Sequence, residues 1–176
     1  MALPFTRIIK FSHTRINKSD TVINLNINEP SLSLSHILVL VIDPDDRKPF
    51  QHLEKWRNLD IKKVLVGVAG VENSNALYSR GMLTENSFDQ VLKLYKQNGV
   101  SFGEFLTSTY GLVIDLRPST DETLHGNGAD LINKKSGIDL EIQRVAGGLG
   151  KPDLHIFIFQ DGLINLEQGR LHSIVC

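Results

Sequence analysis

The sequence predicts a mainly β protein, an antiparallel β-sandwich built as a single jelly roll with a short helical insertion at about residues 84–110. Two observations support this fold class. About eight segments have apolar residues that alternate with period two or run continuously, as strands do. Helix-type spacing is confined to one stretch, whereas a doubly wound α/β fold needs a helix after most strands. Many strands with irregular connections favour two packed sheets.

The first two segments predict half-buried strands. Residues 5–11 form a plausible first strand, and a polar turn follows at residues 17–20. In residues 21–28, Ile23, Leu25 and Ile27 alternate with asparagines, so one face is apolar and the other polar. This pattern is typical of a strand at the surface of a sandwich.

Other segments are apolar on both faces and predict central strands. Residues 36–42, 63–68, 112–116 and 154–159 have this character. Residues 138–145 alternate again, and the Asp161–Gly162 pair predicts a hairpin turn. The last apolar run, 163–175, is interrupted by Gly169.

The helical insertion falls between the fourth and fifth predicted strands. Ser87 and Gln90 form a capping box ahead of apolar residues at helical spacing, which end before Gly99. Ser101 and Glu104 form a second capping box, which opens a short helix that must end by Gly111. No other part of the chain carries helix signals this clear.

Length, net charge and cysteine content exclude several classes of function. The 176 residues suit one domain, spanning 1–176, and a net charge of −1 provides no field for binding nucleic acid or an anionic membrane. The single cysteine, Cys176, excludes an internal disulfide and a cysteine-based zinc site. No apolar run is long enough for a signal peptide or a membrane span, so an intracellular protein is expected.

Several stretches resemble chemical motifs but do not meet their requirements. The glycine-rich segment 146–152 lacks the first glycine and the Ser or Thr of a phosphate loop. Residues 43–46 offer three carboxylates, but a calcium loop needs further oxygen ligands, so a turn is the better interpretation. The histidines lack metal-ligand spacing, and no nucleophile elbow is present. We therefore predict no catalytic residues, no metal and no cofactor.

The loop after the strand at 112–116 is the most polar candidate region. Asp121, Glu122, His125 and Asn127 form a possible interaction loop, and an enzyme using this region as an acid–base site is a weaker alternative. Asp115 and Arg117 share one face of the preceding strand, where an ion pair explains them equally well. Gly126 and Gly128 are expected at positive φ.

Five segments together carry a family resemblance. In chain order they read LSHILVLVIDPDDRKPF, IKKVLVGVAGVENSNALYSRGM, FDQVLKLY, SFGEFLTSTYGLVIDLRPSTDETLHGNG and SGIDLEIQRV. This order resembles the C-terminal part of the double-jelly-roll major capsid proteins of Polinton, adintovirus and adomavirus type. The resemblance covers roughly residues 6–159, and the stretch IDLRPSTDETLHGNG, residues 114–128, is its most distinctive part.

The resemblance implies a viral or virus-derived shell protein that self-associates. The expected partners are copies of the same chain, with a trimer as one candidate state, or related capsid subunits, and a viral protein would be found in the virion. This chain has strands for one jelly roll where the family has two, so a fragment, a free-standing roll and a captured gene with another use all stay open. The alternative function is a jelly-roll binding module for a carbohydrate or a protein, for which the polar Asn24–Asn26–Asn28 face is the sequence hint.

Overall fold

The computed structural model describes residues 2–17, 19–42, 56–58, 61–68, 71–72, 78–79, 88–89, 91–92, 100–117, 128–131, 137–145 and 152–175. Within these ranges the protein is a sandwich of two mainly antiparallel sheets, as predicted. The strands are β1 Ala2–Arg15, β2 Val22–Ile27, β3 Leu34–Ile42, β4 Ile61–Val68, β5 Val71–Glu72, β6 Tyr78–Ser79, β7 Gly111–Asp115, β8 Ile138–Arg144, β9 Asp153–Glu167 and β10 Arg170–Val175. One helix, α1, spans Phe102–Ser108.

The strand order has the crossovers of a jelly roll. The first sheet runs β1-β9-β3-β7, and β10 pairs with the far end of β9. The second runs β2-β8-β4-β5, and β6 also pairs with β4. Apart from the short β5 and β6 and the last strand β10, consecutive strands therefore alternate between the two sheets rather than forming a simple meander, as in a Greek-key sandwich.

The core lies between the sheets and follows the alternation seen in the sequence. Ile23 and Ile27 of β2 are buried and Asn24 and Asn26 are exposed, which confirms the predicted faces. On β8, Ile138, Leu140 and Ile142 are buried. Burying such rows from both sheets is the main favourable term for a sandwich.

Strand β3 is buried along its whole length, as its continuous apolar sequence predicts. One face contributes to the inter-sheet core, and the insertion covers the other. A Cβ on Gly111 would lie 3.1 Å from Val91 Cγ2 and 3.1 Å from Leu40 Cδ2, so the absence of a side chain at Gly111 lets the insertion pack closely over β3. The insertion thus covers the β3–β7 half of this sheet.

Helix α1 forms as its capping box predicts. The Ser101 side chain accepts a hydrogen bond from the Glu104 backbone N–H at 3.2 Å, which satisfies a free donor of the first turn. Phe105 is buried, and its ring lies 5.2 Å from those of Phe88 and Tyr110. Phe88, Asp89, Val91 and Leu92 are also helical, whereas the first capping box lies outside the described residues.

The predicted polar turn after β1 is present and is held by a buried arginine. The Asp20 N–H donates to the Asn17 carbonyl at 3.1 Å. From β8, Arg144 donates to the carbonyls of Asp20 and Asn17 at 2.6 and 2.7 Å. The Arg144 guanidinium therefore supplies hydrogen bonds to turn carbonyls that have no partner in a neighbouring strand.

The hairpin predicted at Asp161–Gly162 is wrong. Strand β9 runs straight through both residues, which pair with Thr6 and Phe5 of β1, and Thr6 Oγ1 donates to Asp161 Oδ1 at 2.7 Å. The long β1 supplies backbone partners that keep this pair extended. The turn lies instead at Gln168 and Gly169, with φ of 49° and 76°, at the break that Gly169 predicted.

Two further details differ from the sequence prediction. The two-residue strands β5 and β6 were not predicted, because two residues are too short to show a period. The 154–159 segment was expected to be buried on both faces, but His155, Phe157 and Phe159 are only partly buried. The insertion that covers the β3–β7 half does not cover β9 to the same extent.

Candidate interaction surfaces

The predicted interaction loop lies outside the described residues, so Asp121, Glu122, His125 and Asn127 have no structural account. Its two flanks are described, and both are tied to the start of β3. The Leu116 N–H donates to the Ser35 carbonyl at 2.8 Å, and Ala129 and Leu34 exchange backbone hydrogen bonds of 2.8 and 3.0 Å. The segment therefore leaves from and returns to one end of the sandwich.

Gly128 is a glycine because of close packing, and the expectation of a positive φ there is wrong. Among the described residues the glycine with positive φ is Gly169. A Cβ on Gly128 would lie 2.4 Å from the Leu34 carbonyl oxygen, a separation that no side chain tolerates. The Gly128 N–H also donates to Ser33 Oγ at 3.0 Å. The chain thus returns to β3 by a direct backbone contact. Gly126 lies outside the described residues.

At the end of β7, Asp115 and Arg117 form an ion pair, which the sequence offered as one explanation of their shared face. Arg117 Nε donates to Asp115 Oδ1 at 2.9 Å and Nη2 donates to Oδ2 at 2.7 Å. The Arg117 backbone N–H adds a third bond to Oδ1 at 3.0 Å. Burial alone would raise the pKa of Asp115, but these bonds outweigh it and hold the pKa below its usual value.

His36 lies directly across from this pair on β3. Its Nε2 atom is 3.6 Å from Asp115 Oδ2, and its Nδ1 atom is buried with no hydrogen-bond partner in the described part of the chain. Burial lowers the pKa of His36, and the Asp115 carboxylate opposes this only in part. The neutral imidazole of His36 therefore has a structural role, because the Asp115 carboxylate already has Arg117 as its partner.

The opposite end of the same sheet carries a second ion pair. Arg15 donates to Asp153 through Nε and Nη2 at 2.8 and 3.3 Å, and His13 Nε2 lies 3.4 Å from Asp153 Oδ2. The hydrogen bond from Arg15 is the main cause that lowers the pKa of Asp153 to about 2, against the opposing effect of burial. This cluster links Arg15, the last residue of β1, to Asp153, the first residue of β9.

Between these clusters, an exposed aromatic surface runs along the outside of β1 and β9. We call it the β1–β9 outer face, defined by Ile8, Phe11, His13, His155, Phe157 and Phe159. Register pairs place Phe11 beside Phe157 and His13 beside His155. The Phe11 ring lies 5.0 Å from Phe157 and 5.5 Å from His155, and Trp56 lies 6.3 Å from His155. His155, expected in the core, therefore sits in this ring cluster.

The β1–β9 outer face is the less covered half of its sheet. Ile8 and Phe11 are each 53% exposed, whereas the equivalent face of β3 is buried under the insertion. A row of clustered, half-exposed aromatic and aliphatic side chains is typical of a contact surface rather than of scattered surface residues. Alternation of Phe11 and His13 with polar residues was the sequence signal for part of this face, and the register shift between Ile8 and Lys10 removes Ile8 from that pattern.

The polar face of the second sheet carries a shallow, open hollow. Its volume is about 400 Å³, and its lining includes Asn24, Asn26, Asp139 and Glu141. Asn26 Nδ2 donates to Asp139 Oδ1 at 2.5 Å, and Gln143 donates to Glu141 at 2.7 Å. The first bond joins β2 to β8 and the second lies along β8, so these polar groups pair locally, as expected of a solvated sheet face.

Two further classes of site have little support in the described ranges. No cluster of three or more His, Cys, Asp or Glu side chains is arranged to hold a metal there. None of the helices described has the length and apolar character that crossing a bilayer requires.

Comparison with known proteins gives matches of fold only. No protein-family model matches the sequence, and no curated protein matches it. Among solved structures, the PBCV-1 virus capsid matches 97% of this chain with a TM-score of 0.53 at 10% identity, and PBCV-1 VP54 fitted into a reconstruction of the virophage Sputnik gives the same values. The Faustovirus major capsid protein matches 94% of this chain with a TM-score of 0.53 at 9% identity.

The matched proteins are much longer than this chain. It spans 52% of the PBCV-1 capsid chain and 34% of the Faustovirus protein. The structural neighbours are thus viral major capsid proteins, and the chain shares their jelly-roll fold over nearly all of its length.

Proposed function

We propose that this chain is a non-enzymatic, capsid-like structural protein, viral or virus-derived, that self-associates through its jelly roll. One observation carries the proposal: 97% and 94% of this two-sheet chain align in structure with two viral capsid proteins, each with a TM-score of 0.53. Fold alone does not specify function, so the proposal also depends on the surfaces of this molecule.

The surfaces support self-association. The β1–β9 outer face exposes aromatic and aliphatic side chains beside the charged pairs of Arg15 with Asp153 and Arg117 with Asp115. Apolar patches rimmed by polar groups are common at protein contacts. A net charge of −1 adds little repulsion between copies.

The finer parts of the proposal follow from the sequence resemblance. The chain would belong to the Polinton, adintovirus and adomavirus type of capsid protein, form one domain over residues 1–176, and assemble with itself, as a trimer or otherwise, or with related subunits in a virion. Asp121, Glu122, His125 and Asn127 would form a contact loop at one end of the sandwich, without binding nucleic acid directly.

Light scattering and negative-stain electron microscopy of the full chain test this proposal. The expected result is a mass that rises with concentration towards a defined oligomer or closed particle. A strict monomer at high concentration, alone and with related capsid subunits, would overturn it.

The alternative is a binding module for a carbohydrate or a protein, using the hollow on the second sheet. Its amide and carboxylate lining could bind hydroxyl groups. Aromatic rings are missing from that lining, although sugar-binding sites commonly stack a ring on the ligand. A glycan array with a specific signal that Asn26→Ala abolishes would favour this alternative over the capsid-like role.

A further inference from the structure

Beyond the start of β3, strand β9 continues as the centre of a three-stranded ribbon. β1 pairs with β9 from Asp153 to Asn165, and β3 pairs on the other side only as far as Gln160. β10 then takes the place that β3 leaves, pairing with residues 163–167 of β9. We call residues 2–6 of β1, 161–167 of β9 and all of β10 the β10 ribbon.

The β10 ribbon has an uncovered apolar face. The register aligns Leu3, Ile164 and Ile174 in one row across the three strands, and Leu166 with Leu171 in the next. Leu171 is 61% exposed, Ile174 54% and Leu3 36%. Ile164 lies on the same side of β9 as the buried Ile158, so this face continues the core-facing side of the sheet beyond its covered part.

The two outer edges of the ribbon differ in how well they are protected against pairing. Within the ribbon the β1 edge carries Pro4, which has no N–H to donate, and Arg7, Lys10 and a register shift follow further along the same edge. The β10 edge has one cation at its start and a register shift of its own at His172. It contains no proline, and in the described part of the chain β10 pairs only with β9. Among the described residues the β10 edge is therefore the one better suited to pairing.

A register shift makes the β10 edge self-complementary. Leu171 pairs with Leu166 and Ser173 with Asn165, so His172 is the extra residue of a bulge. Leu171 and Ile174 consequently point to the same face, although they are three residues apart. In an antiparallel pair of β10 strands about a two-fold axis, Leu171 of one copy can lie opposite Ile174 of the other, and the same contact repeats on the other side of the axis.

We propose that β10 is the strand through which two copies of this chain pair, edge to edge and antiparallel, to form a continuous six-stranded ribbon. This inference depends on the proposed self-association and adds a second contact surface to the β1–β9 outer face. A second copy is the occupant that fits, because the open edge and its apolar row are complementary to themselves and carry almost no net charge.

The contact is small, so we expect a weak dimer. A six-residue strand spans about 20 Å, so this edge buries less than the roughly 800 Å² per partner of a standard interface. We expect a dimer with a dissociation constant on the order of 100 µM. Repetition of such a weak contact in a closed assembly would raise its effective strength greatly.

Sedimentation of the full chain from about 10 µM to about 1 mM tests the inference, since this range spans the expected dissociation constant. The variants are Leu171→Lys and Ile174→Lys, and the matched control is Val22→Lys, an exposed apolar residue of the other sheet. All three side chains are exposed, so thermal unfolding should match wild type. The inference predicts that wild type and V22K dimerise equally and that L171K and I174K weaken the dimer at least tenfold.

A second measurement tests the edge pairing directly. Amide hydrogen exchange over residues 170–175 should slow as wild-type concentration rises and should not do so in I174K. If wild type associates and both β10 variants associate equally well, the β10 inference is overturned and the proposed self-association stands. If wild type is monomeric throughout the range, both are overturned.

Discussion

His36 of β3 lies directly opposite Asp115 of β7, with His36 Nε2 3.6 Å from Asp115 Oδ2. The Asp115 carboxylate already accepts two side-chain hydrogen bonds from Arg117. This three-residue cluster joins two strands at the point where the chain leaves the sandwich. It is a structural ion pair with a histidine neighbour, because the guanidinium of Arg117 and the carboxylate of Asp115 are directed at each other.

Replacing Arg117 with alanine should lower the free energy of unfolding by about 2 kcal/mol, because it leaves the Asp115 carboxylate, whose side chain is only 14% exposed, without its main partner. Urea denaturation measures the change. Arg170→Ala, at an exposed arginine of β10, is the control and should change stability by less than about 0.5 kcal/mol. Equal effects of the two substitutions would show that the Asp115 pair contributes nothing specific.

His36 should make the protein less stable as the pH falls from about 7.5 to about 5.5. Its pKa is lowered in the folded state, so the unfolded chain binds more protons in this range and stability rises with pH. Asp115, Arg117 and Asp161 are the charged groups that act on it. One proton contributes at most about 1.4 kcal/mol per pH unit.

His36→Leu should reduce this pH dependence, since it removes the titrating group and keeps an apolar side chain beside Leu38. The measurement is the free energy of unfolding at several pH values, with His172→Leu, at an exposed histidine, as control. An unchanged slope in H36L would refute the assignment.

Asp153 should account for part of the loss of stability in acid. Its pKa is about 2 in the folded state, below that of an unfolded aspartate, so its contribution is full above about pH 5 and is lost as the pH falls towards 2. Asp153→Asn should therefore be less stable than wild type at pH 7, and the difference should shrink at pH 2.5. Thermal unfolding at the two pH values measures this. A constant difference would count against the Arg15–Asp153 pair.

Two glycines should respond in opposite directions to alanine. Gly169 has a φ of 76° with open space around it, so Gly169→Ala should destabilise by about 1 kcal/mol through backbone strain alone. Gly103 lies in α1, also with open space, and Gly103→Ala should stabilise by up to about 1 kcal/mol. Chemical denaturation of both variants checks the signs. A stabilised G169A would contradict the turn geometry.

Phe11 should contribute to self-association more than to folding. Its ring is half exposed on the β1–β9 outer face and contacts Phe157 at 5.0 Å. Phe11→Ser should reduce the mass seen by light scattering while changing the unfolding temperature little. Val22→Ser, at a similarly exposed apolar residue of the other sheet, should leave the mass unchanged.

The sequence by itself determined the fold class and most strand faces. Alternation in residues 21–28 and 138–144 fixes which side chains enter the core, because successive strand residues point to opposite faces. The capping box at Ser101 fixed the start of α1 through a local hydrogen bond. Asp115 and Arg117, two residues apart in the sequence, form the local ion pair that their spacing allowed.

Only the tertiary structure decided the course of β9 and the exposed surfaces. Asp161 and Gly162 carry a turn signal, but β1, more than 150 residues away along the chain, holds them extended. Gly128 is explained by a carbonyl from β3 rather than by its own φ. Phe11, Leu171 and Ile174 look like core residues in the sequence. Phe11 is exposed because the insertion covers only the β3–β7 half of its sheet, and Leu171 and Ile174 are exposed because β3 ends before β10 begins. Such long-range pairing depends on contacts that no local pattern contains.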